Sequence, residues 1–221
     1  MTDTEYAERL WQDGYLVVRG ALSADQLERI RNAYDAIGQP DRRAGDGNEV
    51  YTHASFRDPV FAELIRHPGV NGILAHTLKA DYVFYRLAGH KTPGAYCQPW
   101  HWDDARWIAY GSLPPDQRPV HPPHVCAHTT FYLDTLTPET GFLKVPPGAH
   151  RRPEVLTAPA FRPDTGDAPF GPEVKLYPAA GDVVILISHL PHRGENLVNG
   201  LPRRNIVCLY CPAGTHEGGT Y

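Results

Sequence analysis

The sequence predicts a mainly β domain with flanking helices, a sandwich or barrel rather than a parallel βαβ sheet. Three observations carry this. After residue 80, short apolar and β-branched runs alternate with Pro/Gly clusters, the signature of several short strands joined by turns. The 221 residues include 20 Gly and 22 Pro, about a fifth of the chain against roughly 12% in average usage. Before residue 80 the periodicity is helical instead. The length suits one domain spanning 1–221, with a helix-rich part (1–80) packed on a strand-rich core (81–221).

Taken in order, Tyr6 to Asp13 is a short amphipathic helix, and Tyr15-Leu16-Val17-Val18 is a strand. Ser23-Ala24-Asp25-Gln26 is a capping box, in which the Ser oxygen takes an orphan N–H while Gln26 reaches back. Leu27, Ile30, Tyr34 and Ile37 continue at helical spacing until Gly38. Residues 39 to 50 are polar and predict an exposed loop. Asp58 as cap and Pro59 at the first helical position open a second helical region to about Leu78, with a break expected at Pro68-Gly69. Strands follow at Tyr82 to Tyr85, Val125 to Leu133, Phe142 to Val145, Val183 to Ile187 and Asn205 to Tyr210. Turn clusters such as Lys91-Thr92-Pro93-Gly94 and Pro146-Pro147-Gly148 separate them. Two long irregular segments, 104–124 and 151–175, have the length of lids or binding loops.

Composition excludes several functions. A net charge of −4 with no basic stripe argues against a nucleic-acid partner. No apolar run approaches the roughly 18 residues of a membrane span. The acidic start, Met1-Thr2-Asp3-Thr4-Glu5, has no apolar core, so no signal peptide is expected. Four cysteines then predict reduced thiols in a cytoplasmic protein. Cys208 and Cys211 form a C-x-x-C without the second pair of a zinc ribbon, and are expected as strand-end cysteines.

The chemistry concentrates in three places. In Trp100-His101-Trp102-Asp103, side chains two apart on a strand share a side, so His101 and Asp103 can converge. His189-Leu190-Pro191-His192 follows an apolar strand opened by Gly181-Asp182, and Arg203-Arg204 leads into the last strand. Two imidazoles and a carboxylate make a facial triad, which leaves three adjacent positions on Fe(II) for a bidentate co-substrate and O2. An arginine nearby offers a two-pronged partner for the far carboxylate of a dicarboxylate. Alone, H-x-D is common and weak.

The ordered set is specific. The sequence resembles the phytanoyl-CoA dioxygenase family of Fe(II)/2-oxoglutarate oxygenases over nearly its whole length. "DGYLVVRGALSADQLERI" resembles the family's opening strand and helix, and "PWHWD" its first metal motif. "ETGFLKVPPGAHR" is similar to its Asn-Gly-x-Leu…Pro-Gly-Ser-His turn, "AAGDVVILISHLPHRGEN" to its Gly-Asp strand with the distal histidine, and "RRNIVCLY" to its closing arginine strand. The resemblance implies a double-stranded β-helix (jelly-roll, cupin-like) core, with Fe(II), 2-oxoglutarate and O2 as cofactor and co-substrates. It implies His101, Asp103 and His192 as iron ligands, His192 rather than His189 being ten residues past Asp182. Arg203, eleven residues past His192, is implied as the 2-oxoglutarate arginine with Arg204 as fallback, and Thr130 as a second contact.

Departures touch the surroundings of the triad. Trp102 stands where the family often has a co-substrate-holding Gln, Arg193-Gly194-Glu195 replaces a Ser/Gly-rich stretch, and Ala149-His150 replaces Ser-His. Asp103 disfavours halogenation, since halogenating relatives carry a small residue there. The implied activity is oxidation, as hydroxylation, of an unactivated C–H of a small-molecule substrate, possible also in secondary metabolism, with release of succinate and CO2. Trp100, Trp102 and Trp107 are candidates for an apolar pocket wall, Arg106, Arg151, Arg152 and Arg162 for anion contacts, and Asp104 for a partner to a ligand. The rivals are an inactive cupin-like binding domain and a zinc-dependent hydrolase using the same three ligands. Oligomeric state is not readable from the sequence.

Overall fold

The computed structural model describes residues 1–43, 48–52, 57–78, 82–92, 94–98, 100, 101, 103, 126–152, 171–198, 201 and 203–212. The elements are α1 (Asp3–Asp13), β1 (Tyr15–Val18), α2 (Ala24–Asp35), β2 (Arg42–Arg43), β3 (Glu49–Tyr51), α3 (Val60–Ile65), α4 (Pro68–Leu78), β4 (Tyr82–Thr92), β5 (Tyr96–Cys97), β6 (Ala127–Tyr132), β7 (Gly141–Val145), β8 (Val174–Leu176), β9 (Val183–Ile187), β10 (Arg193–Asn196) and β11 (Arg203–Pro212). They form a seven-stranded sheet ordered β1-β9-β6-β11-β4-β3-β2 and a four-stranded sheet ordered β5-β10-β7-β8. Every described pairing is antiparallel. This is a double-stranded β-helix with helices on one face.

Period-two alternation builds both layers from the same strands. In β9, Val183, Ile185 and Ile187 join a core with α1, α2, α3 and α4, through Leu10, Ile30, Phe61 and Leu74. Val184 and Leu186 point the other way and pack with Leu143, Val145 and Leu176 of the smaller sheet. A strand covered on both faces reads as an unbroken apolar run, which is why Val183–Ile187 is fully buried. β11 does the same: Ile206, Cys208 and Tyr210 face the helical core.

The capping box at Ser23 forms, with Gln26 N donating to Ser23 Oγ and Ser23 N to Gln26 Oε1. A second box, Thr2 with Glu5, starts α1 earlier than its apolar spacing indicates. Asp182 ties β9 to the end of β1: its carboxylate accepts from Gly20 N, Ala179 N and the Arg19 guanidinium at 2.6–2.8 Å.

Several expectations need correction. Residues 39–51 contain the edge strand β2 and, between it and β4, the strand β3, two and three residues long and too short to show alternation. The helical region from Asp58 is interrupted as expected, with the gap at Arg66-His67, just before Pro68 rather than at Pro68-Gly69. Asp58 Oδ1 accepts from Val60 N to start α3. The chain breaks after Ile65, and Pro68 opens α4, where its missing N–H costs nothing. Strand β4 does not end at Tyr85. Ten residues of β11 pair with it and carry it through Lys91-Thr92, which the turn chemistry had suggested was a loop. Strands β5, β8 and β10 are two to four residues long, too short to show a period, and exist through their partners. β8 begins inside the expected irregular segment 151–175, and Arg151 closes a 3-10 turn, Ala149–Arg151. Segment 104–124 lies outside the described residues. All four cysteines are free, and Cys208 is mid-strand and buried rather than at a strand end. Among the described residues, no helix is long and apolar enough to cross a membrane.

Two buried histidines brace the junction of α1 and β1. His150 Nε2 donates to the Trp11 carbonyl at 2.9 Å, and its ring fills the space that a side chain on Gly14 would need. Gly14 sits at φ +82°, which a glycine accepts without strain. The His189 ring lies 5.8 Å from that of His150. Burial pushes the pKa of His150 down to about 4 and that of His189 down to about 3. Both are therefore neutral in the fold but protonate near 6.5 in the unfolded chain. Between pH 6.5 and about 4 the unfolded chain binds more protons, so stability falls as the pH drops through that window. Thermal melts from pH 7.5 to 4.5 are expected to show this fall. His150→Gln, which keeps a donor for Trp11, should remove part of it, of the order of 3 kcal/mol by pH 4.

Candidate metal centre

The smaller sheet delivers the candidate ligands. β5 and β10 pair with Cys97 opposite Glu195, and Gln98 N donates to Gly194 O at 2.9 Å. Continued in that register, His101 would oppose Pro191, which has no N–H to give. Instead His101 bridges His192 by a reciprocal pair, His101 N to His192 O at 3.0 Å and His192 N to His101 O at 2.8 Å. Two residues thus oppose one between these pairs, the arrangement of a β-bulge, which re-aims side chains. Tyr96 and Gln98 face the cavity before the irregularity, and His101 and Asp103 after it. Trp100, expected as a pocket wall, packs instead in the second core with Tyr132, Leu136 and Val145. Asp103 is held by its N–H on Ser188 O at 2.9 Å.

The donor atoms of His101, Asp103 and His192 all lie within 4.8 Å of one another. Asp103 Oδ1 is 3.7 Å from His101 Nε2, and Oδ2 is 3.7 Å from His192 Nε2. His192 Nδ1 donates to Leu190 O at 3.0 Å, so its proton is on that nitrogen and Nε2 presents a lone pair. Gln98 Nε2 lies 3.0 Å from His101 Nε2 and, as an amide donor, keeps a lone pair on that nitrogen too. Burial pushes the His192 pKa down to about 3, reinforced by His101 and opposed by Asp103. Burial alone would raise Asp103, but the imidazoles of His128, His192, His101 and His90 outweigh it and hold the carboxyl well below its ordinary range. Neutral imidazoles and an ionised carboxylate are the protonation states that a metal ion needs. Two nitrogens and one oxygen suit Fe(II) better than the all-oxygen Mg2+. The residues present fit a non-haem iron.

His189 is excluded from this group by its direction. It is buried against His150, three residues before His192, and does not line the cavity.

The two arginines of Arg203-Arg204 part company. Arg204 gives two hydrogen bonds to the Asp134 carboxylate through Nε and Nη2, and two to Asp35 through Nη1. Arg203 points into the cavity and is 7% exposed. Its donors reach the Glu195 and Phe142 carbonyls at 3.2 and 3.4 Å and the Tyr132 hydroxyl at 3.3 Å, while Nε has no partner. Among the described residues no carboxylate pairs with it. Gly194 makes room for it, since a Cβ there would stand 3.0 Å from Arg203 Nη1 and 3.3 Å from Gln98 Oε1. The departure from a Ser/Gly-rich stretch at 193–195 therefore keeps glycine at the crowded position.

Thr130 lines the cavity beside Tyr132 on β6. Sequence reasoning missed His128, His90, Gln98 and Asn205, which also line it. Period two was the available signal: 128, 130 and 132 share one face of β6, and 203 and 205 one face of β11. Arg151 is exposed, and neither it nor Arg152 reaches the cavity. Trp102, Trp107, Arg106, Arg162 and Asp104 lie outside the described residues.

Sheet order and donor set together mark a jelly roll with a candidate non-haem metal site. The phytanoyl-CoA dioxygenase (PhyH) family model matches residues 10–205, and the chain belongs to that family of Fe(II)/2-oxoglutarate-dependent enzymes, which use O2. No curated protein sequence matches it. Among solved structures it is similar to the non-heme alpha ketoglutarate dependent epimerase SnoN from nogalamycin biosynthesis (TM-score 0.73, 17% identity, 96% of this chain and 83% of that one). It is also similar to HygX from Streptomyces hygroscopicus with nickel and 2-oxoglutarate bound (0.76, 17%, 95% and 87%). A third is AviO1 from Streptomyces viridochromogenes Tue57 (0.69, 20%, 96% and 96%). At these identities the likeness shows the shared fold.

His192→Ala is expected to abolish Fe(II) binding measured by anaerobic calorimetry, whereas His189→Gln should retain it. The reverse outcome would reassign the distal ligand.

Proposed function

We propose that the protein is an Fe(II)- and 2-oxoglutarate-dependent oxygenase that hydroxylates an unactivated C–H bond of a small molecule, releasing succinate and CO2. The observation that carries this is Arg203, a buried guanidinium with no counter-ion among the described residues, beside the His101/Asp103/His192 group. A buried charge without a partner is costly, and a carboxylate is what relieves it. The zinc-hydrolase reading gives Arg203 no role.

His101, Asp103 and His192 would hold the ion. Bound there with 2-oxoglutarate and O2, it supplies the oxidising power for C–H cleavage. The remaining work belongs to the chain. Arg203 pairs the far carboxylate of 2-oxoglutarate, with the Tyr132 hydroxyl steadying the guanidinium at 3.3 Å and Thr130 beside it. The charges then balance: one carboxylate, a divalent ion, a dianionic co-substrate and one guanidinium sum to zero. The Leu143, Leu186, Val207 and Leu209 side chains line the apolar part of the wall. The cavity also presents Asn48, His90, Thr92, Tyr96 and Asn205, a polar set suited to orienting a substrate by hydrogen bonds. SnoN has been solved with nogalamycin RO and HygX with hygromycin B, which supports a small-molecule substrate from biosynthesis here.

Anaerobic protein with Fe(II) and 2-oxoglutarate is expected to show the weak visible charge-transfer band of the chelate, and to form succinate on admission of air. No band in the wild type would overturn the oxygenase reading in favour of an inactive binding domain. Arg203→Gln should raise the 2-oxoglutarate Kd about 10–100-fold with Fe(II) affinity retained, the loss of charge-assisted hydrogen bonds. Arg204→Gln should instead leave the Kd unchanged and lower stability on the order of 2 kcal/mol, read by denaturant melts. Once a substrate is in hand, one oxygen atom from labelled O2 in the product separates hydroxylation from epimerisation or ring closure.

A further inference from the structure

Beside the three candidate ligands stands a fourth imidazole that nothing above employs. His128 lies on β6 with its side chain 3% exposed, and its ring centroid is 5.2 Å from that of His192. Its register neighbours on either side are Leu186 of β9 and Leu209 of β11, both apolar. Its Nδ1 is buried, has no hydrogen-bond partner, and sits 3.1 Å from Asp103 Oδ2. An unpaired buried donor is costly, so an acceptor this close does not stay unused. The Asp χ2 torsion is broad, and a modest turn of the carboxylate brings Oδ2 into line. The His128 ring is not itself in the group whose donor atoms all fall within 4.8 Å, which speaks for a partner of Asp103 over a fourth ligand.

We propose that His128 is a positioning residue for Asp103: it donates Nδ1–H to one carboxylate oxygen and so commits Asp103 to bind the ion through the other. This rests on the oxygenase reading of the site. Its consequence is specific to that chemistry. A carboxylate chelating through both oxygens would take one of the three positions that a bidentate co-substrate and O2 require. The apolar neighbours on both sides leave the buried Nδ1 the Asp103 carboxylate to face.

The test uses Co(II), whose visible bands report ligand number, titrated into the full-length protein and its variants with melting curves as a fold control. His128→Asn places an amide N–H where Nδ1 stood and is expected to bind within about threefold of wild type, with the wild-type spectrum. His128→Leu removes the donor, and His128→Gln moves it one carbon further. Both are expected to bind Co(II) about 10–100-fold more weakly and to shift the bands. Wild-type affinity and spectrum in His128→Leu would overturn the proposal. So would His128→Asn behaving like His128→Gln, which would make the imidazole itself a ligand. If His128→Leu fails to fold, the Asn and Gln comparison decides. A wild type that binds Co(II) and shows the Fe(II)–2-oxoglutarate band, with indifferent His128 variants, sinks this proposal alone. A wild type that does neither sinks the oxygenase reading with it.

Discussion

Two backbone hydrogen bonds, exchanged between His101 and His192, hold the centre together. They join residues 91 apart in sequence and set two imidazoles side by side, their centroids 4.3 Å apart, by main-chain geometry alone. Asp103 is added to the same frame through Ser188 O. A candidate ligand set fixed this way is organised by the chain, so little ordering entropy would oppose metal binding. The rest of the fold serves that frame. The larger sheet backs it, with β6 and β11 bringing His128, Tyr132 and Arg203 to the same cavity, and the helices cover the sheet's other face.

The contrast between adjacent arginines shows how the fold assigns roles that sequence cannot. Strand alternation sends Arg203 inward and Arg204 outward. Outside, Asp134 and Asp35 neutralise Arg204. Inside, among the described residues, Arg203 meets carbonyls and a hydroxyl but no carboxylate. One position therefore contributes stability, and its neighbour presents a charge to the cavity.

Much of this was legible in the sequence because it is local. The H-x-D spacing puts His101 and Asp103 together on any extended chain, and the Gly181-Asp182 turn with its apolar strand fixed where His192 begins its approach. The Ser23 capping box was readable for the same reason. What escaped is pairwise. β5, β8 and β10 are too short to show alternation and are strands only because partners pair with them. Trp100 looked like a cavity aromatic from its position beside His101, and the register irregularity sends it into the core instead. His128 looked like any residue of an apolar strand, because its significance lies in what Asp103 does across the cavity.

That irregularity makes the centre a matter of phase. Along the strand from Tyr96 to Asp103, side chains alternate, and the one extra residue before His101 flips the alternation once. Taking out one of the two residues that oppose one there would leave a regular strand in which His101 still opposes His192 and faces the cavity. Taking out two would set His101 next to Gln98, invert everything after it and turn the two proximal candidate ligands toward the core. Their facing is therefore set jointly by the length of this stretch and by the irregularity that absorbs its extra residue.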